Sequence, residues 1–326
     1  MKKRLLLCLT LTYCVGIIFG GTSIGKQFWE KRIPKHTYKN EIEGMAELEN
    51  ENAKAGESDE EKRVADIDPI VQTQKAKTQN VDEMNYDYLL KNYFQVDKVT
   101  TLEPSLIDAK TMSETNMAID RNVDGPQILI YHTHSQETYA DSIPGDSSTT
   151  VVGVGDYLEK ILTEKYGYKV LHHKGEYDVG DRDHAYSNAL PEIQQILSDN
   201  PSIQVVIDLH RDAVPDTTKL VTEINGNPTA KIMFFNGVSK TVQRGNIDSL
   251  PNPYLQNELA LSFQMQKAAY ENYPVLTRKI YIKGYRYNMH MSSKSMLIEV
   301  GAQNNTVQEA KNAMEPLADL LNKVLQ

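Results

Sequence analysis

The chain has 326 residues, of which 40% are hydrophobic and 24% charged, with a formal net charge of −9. That composition supports a packed core and allows one or two domains, and its acidity argues against nucleic acid as a partner, which calls for a basic face. Two cysteines, Cys8 and Cys14, exclude a disulfide-rich scaffold and a four-cysteine zinc site.

Residues 1–4 carry three cations, Lys2, Lys3 and Arg4, and residues 5–25 carry no charge. A run of that length is just enough to span a bilayer, and the leading cations place it with the N-terminus inside and the remainder outside. A signal anchor is expected in preference to a cleaved signal peptide, because no clean A-x-A site follows. Both cysteines fall inside this segment, so a metal site beyond it must use His, Asp or Glu. Residues 26–81 read as a disordered acidic linker: Glu41 to Arg63 holds nine acidic against three basic residues, with too little apolar surface to offset the entropy of folding.

Residues 82–326 read as one folded domain. Tyr86 to Phe94 is apolar enough to pack, and Val96 to Thr101 is expected to be a strand. Ile128-Leu129-Ile130-Tyr131 is a continuous apolar run of the kind that fills a buried parallel strand. A helix over Val151 to Tyr166 stops at Gly167, and Lys169 to Leu171 forms a second strand. A helix over Tyr186 to Leu197 stops at Asn200-Pro201, and Ile203 to Leu209 is the most apolar strand. Asn225-Gly226 is a hairpin turn signal between Lys219–Ile224 and Ala230–Phe235. Leu255 to Tyr270 is helical, Ser295 to Val300 is a central strand, and Thr306 to Glu309 has the capping-box spacing that opens a C-terminal helix. Pro316 is expected to bend or split that helix. The alternation argues for an α/β domain with a mostly parallel sheet flanked by helices and an inserted β-hairpin.

In such sheets ligands bind beyond the carboxyl ends of the strands. Three strand ends carry polar groups: Tyr131-His132-Thr133-His134-Ser135-Gln136-Glu137, Asp208-Leu209-His210-Arg211-Asp212, and Ile298-Glu299-Val300-Gly301. Three residues apart in a turn, His134 and Glu137 can aim at one point, and imidazole nitrogen with carboxylate oxygen is a normal zinc donor pair. His210 is the candidate third ligand. Zinc would lower the pKa of a bound water from about 15.7 toward about 7, and Glu299, within an apolar strand, is the candidate to move the proton. The set of roles is that of zinc carboxypeptidases and zinc amidases. The competing reading stays open: strand-end histidines hydrogen-bonded for structure, and Glu299 paired with Arg211 or Arg286.

His132 is read as core or support for the ligands, since alternation turns it away from His134. Asp208 or Asp212 is expected to orient His210. Arg286 or Asn288, in the cluster Tyr285-Arg286-Tyr287-Asn288, is expected to hold a substrate carboxylate or an oxyanion. His172, His173, His184 and His290 are read as ordinary histidines, His290 being the better ligand candidate of the last two.

The three strand-end motifs, together with Ile224-Asn225-Gly226, Lys231-Ile232-Met233-Phe234-Phe235 and Tyr287-Asn288, resemble the stage II sporulation protein P family over roughly Asp82 to Gln326. The resemblance implies a fold similar to the zinc-dependent N-acetylmuramoyl-L-alanine amidases. It implies a peptidoglycan hydrolase of the cell membrane that removes stem peptides from glycan strands, also credited with endopeptidase activity, at the sporulation septum during forespore engulfment. Its implied partners are the stage II sporulation proteins D and M. Carried over by motif, His134 and His210 are metal histidines and Glu299 the catalytic acid. Glu137 as third ligand rests on geometry. The wider amidases open the first helix with the ligand Glu, but Ser147-Ser148-Thr149-Thr150-Val151 has none, and Glu176 is the distant reserve. A wall-peptide carboxypeptidase or endopeptidase, and a non-catalytic wall-binding scaffold, are the alternatives.

Overall fold

The computed structural model describes residues 80–326. The predicted span at 5–25 lies wholly outside the described residues, and the predicted linker almost wholly. Among the described residues no helix is long and apolar enough to cross a membrane.

In chain order the elements are α1 (Tyr86–Asn92), β1 (Phe94–Val96), α2 (Ala109–Glu114), β2 (Ile128–Tyr131), α3 (Val151–Glu164), β3 (Val170–His172), α4 (Ala185–Asp199), β4 (Val205–Asp212), β5 (Val221–Ile224), β6 (Asn227–Ala230), β7 (Ile232–Gly237), β8 (Lys240–Thr241), β9 (Gly245–Asn246), α5 (Leu255–Asn272), β10 (Ile280–Lys283), β11 (Ser295–Ala302) and α6 (Val307–Val324). Seven strands form the central sheet in the order β1-β10-β7-β11-β4-β2-β3. Every neighbouring pair is parallel except β7 with β11. The carboxyl ends of β2, β3, β4 and β11 therefore share one edge.

Strand parity sorts the side chains into two faces. Ile128, Ile130, Ile207, Leu209, Ile298 and Val300 join the large core with α3, α5 and α6. Leu129, Tyr131 and Val206 pack on α4 through Ala185, Ala189 and Ile193. Asp208 and His210 continue the α4 face of β4, opposite Leu297 and Glu299 of β11. Alternation thus delivers the polar side chains to one face at one edge.

Local signals account for most boundaries. Thr150 caps α3 by accepting from Val152 N, and Gly167 at φ +72° ends that segment. The capping box at Thr306 and Glu309 is formed. Three expectations are corrected. The first strand is Phe94–Val96, not Val96 to Thr101, because Asp97 turns the chain by accepting from Val99 N at 3.0 Å. The second hairpin arm is Asn227–Ala230, and Ile232–Gly237 is a separate strand of the central sheet. Asn225 and Gly226 both take positive φ, which closes a two-residue turn and sets that short register. Pro316, expected to bend or split α6, does not split it: it lacks one N–H, but the buried face of Ala313, Met314, Leu317 and Leu321 holds the helix on the core. The sequence reading also missed β10, whose four residues follow Arg278-Lys279 and end in Lys283.

Gly155 on α3 marks a close approach. A Cβ there would lie 2.8 Å from both His132 Nε2 and His172 Nε2. Gly155→Ala is expected to cost about 1–3 kcal/mol through overpacking, read as a lower urea midpoint with an unchanged slope.

Candidate functional site

The turn after β2 is closed by Glu137 N donating to His134 O at 3.3 Å. His134 and Glu137 are thereby set beside the end of β4. The His134 and His210 rings stand 5.4 Å apart at 74°. Glu137 Oε2 lies 3.5 Å from His210 Nδ1 and accepts from Arg211 N at 2.9 Å. On the other side of the ring, His210 Nε2 lies 2.7 Å from Asp208 Oδ1, although the two are not aligned for a ring N–H bond. Asp208 also accepts from Thr133 N at 2.9 Å and Thr133 Oγ1 at 2.6 Å. Glu299 is the register partner of His210 across β4 and β11, with Met233 of β7 on its other side.

The sequence reading did not single out Asp178, Arg182 or Tyr186. Asp178 Oδ2 lies 3.8 Å from His134 Nδ1, and its Oδ1 accepts from Ser135 Oγ at 3.1 Å. Arg182 bridges the two carboxylates, with Nη2 2.9 Å from Glu137 Oε1 and Nη1 3.6 Å from Asp178 Oδ2. Tyr186 packs edge-on to His134 at 5.6 Å and stacks near His210 at 6.4 Å. All three follow β3, a fourth parallel strand ending at the same edge. The charged run Asp181-Arg182-Asp183 before α4 was the available signal.

Burial works against protonation of His210, but the carboxylates of Asp208 and Glu137 outweigh it and raise its pKa well above the ordinary value. Burial would raise Glu137, yet His210, His134 and Arg211 hold it far below the usual carboxylate range. Burial likewise opposes ionisation of Asp178, and His134 and neighbouring donors lower it. Burial lowers the pKa of His134, which favours the neutral ring, the form that ligates metal.

The donor set of two imidazoles and a carboxylate suits zinc. The buried nitrogen His134 Nδ1 has no aligned hydrogen-bond partner among the described residues, which also fits a metal centre. The trio is not drawn tight, and Glu137 Oε1 is occupied by Arg182. Among the described residues, the three donors that meet within 4.8 Å are instead Asp156, Glu159 and His172.

The other predicted residues separate. His132 is fully buried on the core side, with Nδ1 2.7 Å from Leu209 O. Asp212 pairs with Arg278 at 2.5 Å, so Asp208 is the acid at His210. Arg211 Nε donates to Thr138 O at 2.9 Å. Arg286, expected to hold a substrate carboxylate or an oxyanion, is 1% exposed and donates to Pro251 O at 2.9 Å. Asn288, also buried, takes φ +56° and donates to Tyr186 O at 2.7 Å, so it fixes the Tyr186 segment instead of facing solvent. Glu176 is exposed, and Asp178 is the carboxylate of that loop that reaches His134.

Near Arg286, Glu258 is fully buried and accepts from Asn252 at 2.7 Å. Burial pushes its carboxyl from 4.5 up to about 8, against the opposing effects of Asn252 and Arg286. Its folded pKa is raised, so its contribution to stability is fully present below about pH 4.5 and is lost as pH rises through about 8. Glu258→Gln is expected to flatten that slope, with a gain on the order of a few kcal/mol at about pH 9 and little at about pH 4, read by thermal unfolding at both.

A mostly parallel α/β sheet that gathers two histidines and several carboxylates at one strand edge defines a candidate metal-centre protein. The chain matches the family model of stage II sporulation protein P (SpoIIP) over residues 25–322 and belongs to that family. It is 23% identical over 222 residues to the stage II sporulation protein P of Bacillus subtilis (strain 168). The match covers 62% of this chain and 51% of that protein, so the chain spans about half the length of the curated relative it matches. Among solved structures, the catalytic domain of CwlV, an N-acetylmuramoyl-L-alanine amidase from Bacillus (Paenibacillus) polymyxa var. colistinus, is similar at 12% identity and TM-score 0.36, covering 61% of this chain and 97% of that one. The N-acetylmuramoyl-L-alanine amidase of Clostridium difficile 630 is similar at 15% identity and TM-score 0.36, covering 62% and 95%.

Proposed function

We propose that the chain is a zinc-dependent peptidoglycan hydrolase of sporulation that cleaves the amide between N-acetylmuramic acid and L-alanine. The observation that carries the reading is the register pairing of Glu299 with His210, beside His134. Membership of the SpoIIP family supports the sporulation setting.

His134, His210 and Glu137 would hold the metal, which supplies a Lewis acid for the carbonyl and lowers the pKa of water. Glu299 accepts a proton from the attacking water as the oxygen bonds to the lactyl carbonyl carbon. It then delivers that proton to the amide nitrogen as the C–N bond breaks, releasing a free L-alanine amine. Asp208 holds the His210 ring from behind, and Arg182 holds Glu137. On the same reading the catalytic domain is extracytoplasmic, tethered by residues 5–25 at the septum, with the stage II sporulation proteins D and M as partners.

The test adds the purified chain to isolated cell wall and analyses the soluble products by mass. Peptides with free L-alanine amino ends should appear, vanish with a chelator, return with zinc and be absent with His134→Ala. New ends inside the peptide would replace the amidase by an endopeptidase. No release in any metal condition, with and without protein D, would support the scaffold reading.

A further inference from the structure

On the opposite face from Glu299, two histidines meet where α3 crosses β2 and β3. His132 Nε2 and His172 Nε2 are 2.8 Å apart. His132 Nδ1 faces Leu209 O at 2.7 Å, and a carbonyl only accepts, so Nδ1 carries the proton and Nε2 presents a lone pair. His172 must therefore donate from Nε2. A neutral imidazole has one N–H, which leaves the His172 Nδ1 lone pair aimed at Asp156 Oδ1, 2.9 Å away, and Glu159 Oε2, 3.7 Å away. A lone pair facing two carboxylates is repulsive unless a cation lies between them. An extra proton on Nδ1 would satisfy Asp156 alone, because Glu159 is beyond hydrogen-bond reach. The three donor atoms lie within 4.8 Å of one another.

We propose that Asp156, Glu159 and His172 form a second divalent-cation site, of zinc-binding chemistry, separate from the His134–His210 centre. One imidazole and two carboxylates is a zinc-type donor set with room for water as a fourth ligand. His172 passes its other N–H to His132, as metal-bound histidines do, and His132 passes its own to Leu209 O. The site thus clips α3 to β3 and, through that relay, supports β4 at the residue preceding His210. Gly155 leaves the space in which the two rings meet. The ammonium of Lys174, 2.6 Å from Asp156 Oδ1 and half-exposed on its flexible stem, is the cation that the ion would displace.

The experiment measures zinc per chain by elemental analysis after equilibrium dialysis of the full chain, together with the thermal shift on adding zinc. Wild type should hold two ions, and Glu159→Gln and His172→Ala one each. His134→Ala should keep the ion proposed here whatever the fate of the proposed amidase centre, so the two readings fail separately. Glu159 is partly exposed, so Glu159→Gln keeps the fold even if His172→Ala does not. An anomalous scattering peak at the zinc edge should lie between Asp156 and His172. Zinc content unchanged by Glu159→Gln, or crystals grown with zinc that show no peak there, would overturn the proposal.

Discussion

Glu299→Gln is expected to lower the rate of stem-peptide release by about 10²–10⁴-fold, the range typical of losing a general acid–base group. Fold and zinc content should stay unchanged. The substitution keeps the shape of the side chain on β11 and removes only its ability to take a proton. Its backbone register with His210 and Met233 does not depend on the carboxylate. The discriminating readout is the combination of lost activity with normal zinc binding and normal unfolding. Full activity in this variant would remove Glu299 from the reaction and return it to a structural role in the strand. In sporulating cells the same variant should block engulfment if hydrolysis is the function, and leave it intact if the chain acts only by binding wall.

The largest stability effect is expected at Asp208. Asp208→Ala leaves Thr133 N, Thr133 Oγ1 and His210 Nε2 buried without their carboxylate. Removing one partner from a buried ion pair costs about 3–5 kcal/mol, read as a large fall in the urea midpoint. Asp208→Asn keeps the volume and one acceptor and should lose less. The Asn variant is also expected to bind zinc about 10–100-fold more weakly, the usual cost of losing the group that orients a metal histidine. A metal affinity unchanged by Asp208→Asn would mean that Asp208 serves only the fold. His210 should also lose much of its raised pKa in this variant, since the Asp208 charge is the first of the influences that raise it.

The sequence by itself determined the fold class. Continuous apolar runs mark β2, β4 and β11, because a parallel strand is buried on both faces. Caps and stops are local too, as Thr150, Gly167 and the Thr306–Glu309 box show, and so the helices fell close to where they were read. Alternation along β4 also puts Asp208 and His210 on one face, a consequence of the two-residue period alone, whereas Glu299 joins them only through the pairing of β11 with β4.

Only the tertiary structure decided which polar residues meet. Asp178 and Tyr186 reach the histidines, and Arg182 reaches Glu137, because β3 lies beside β2 in the sheet, and nothing within a short window of sequence reports that neighbour. Asp212 and Asp208 stand equally far from His210 along the chain, and Arg278, remote in sequence, draws Asp212 away. Arg286 reads as a residue that holds substrate, and only the fold shows that it is 1% exposed and bonded to Pro251 O. Strand identity for Ile232–Gly237 and Ile280–Lys283 was likewise settled by pairing, because a short strand is stabilised by its neighbours more than by its own residues. Secondary structure follows from periodicity and caps within a few residues. The composition of a site follows from sheet order, which is set by contacts between segments far apart in the chain.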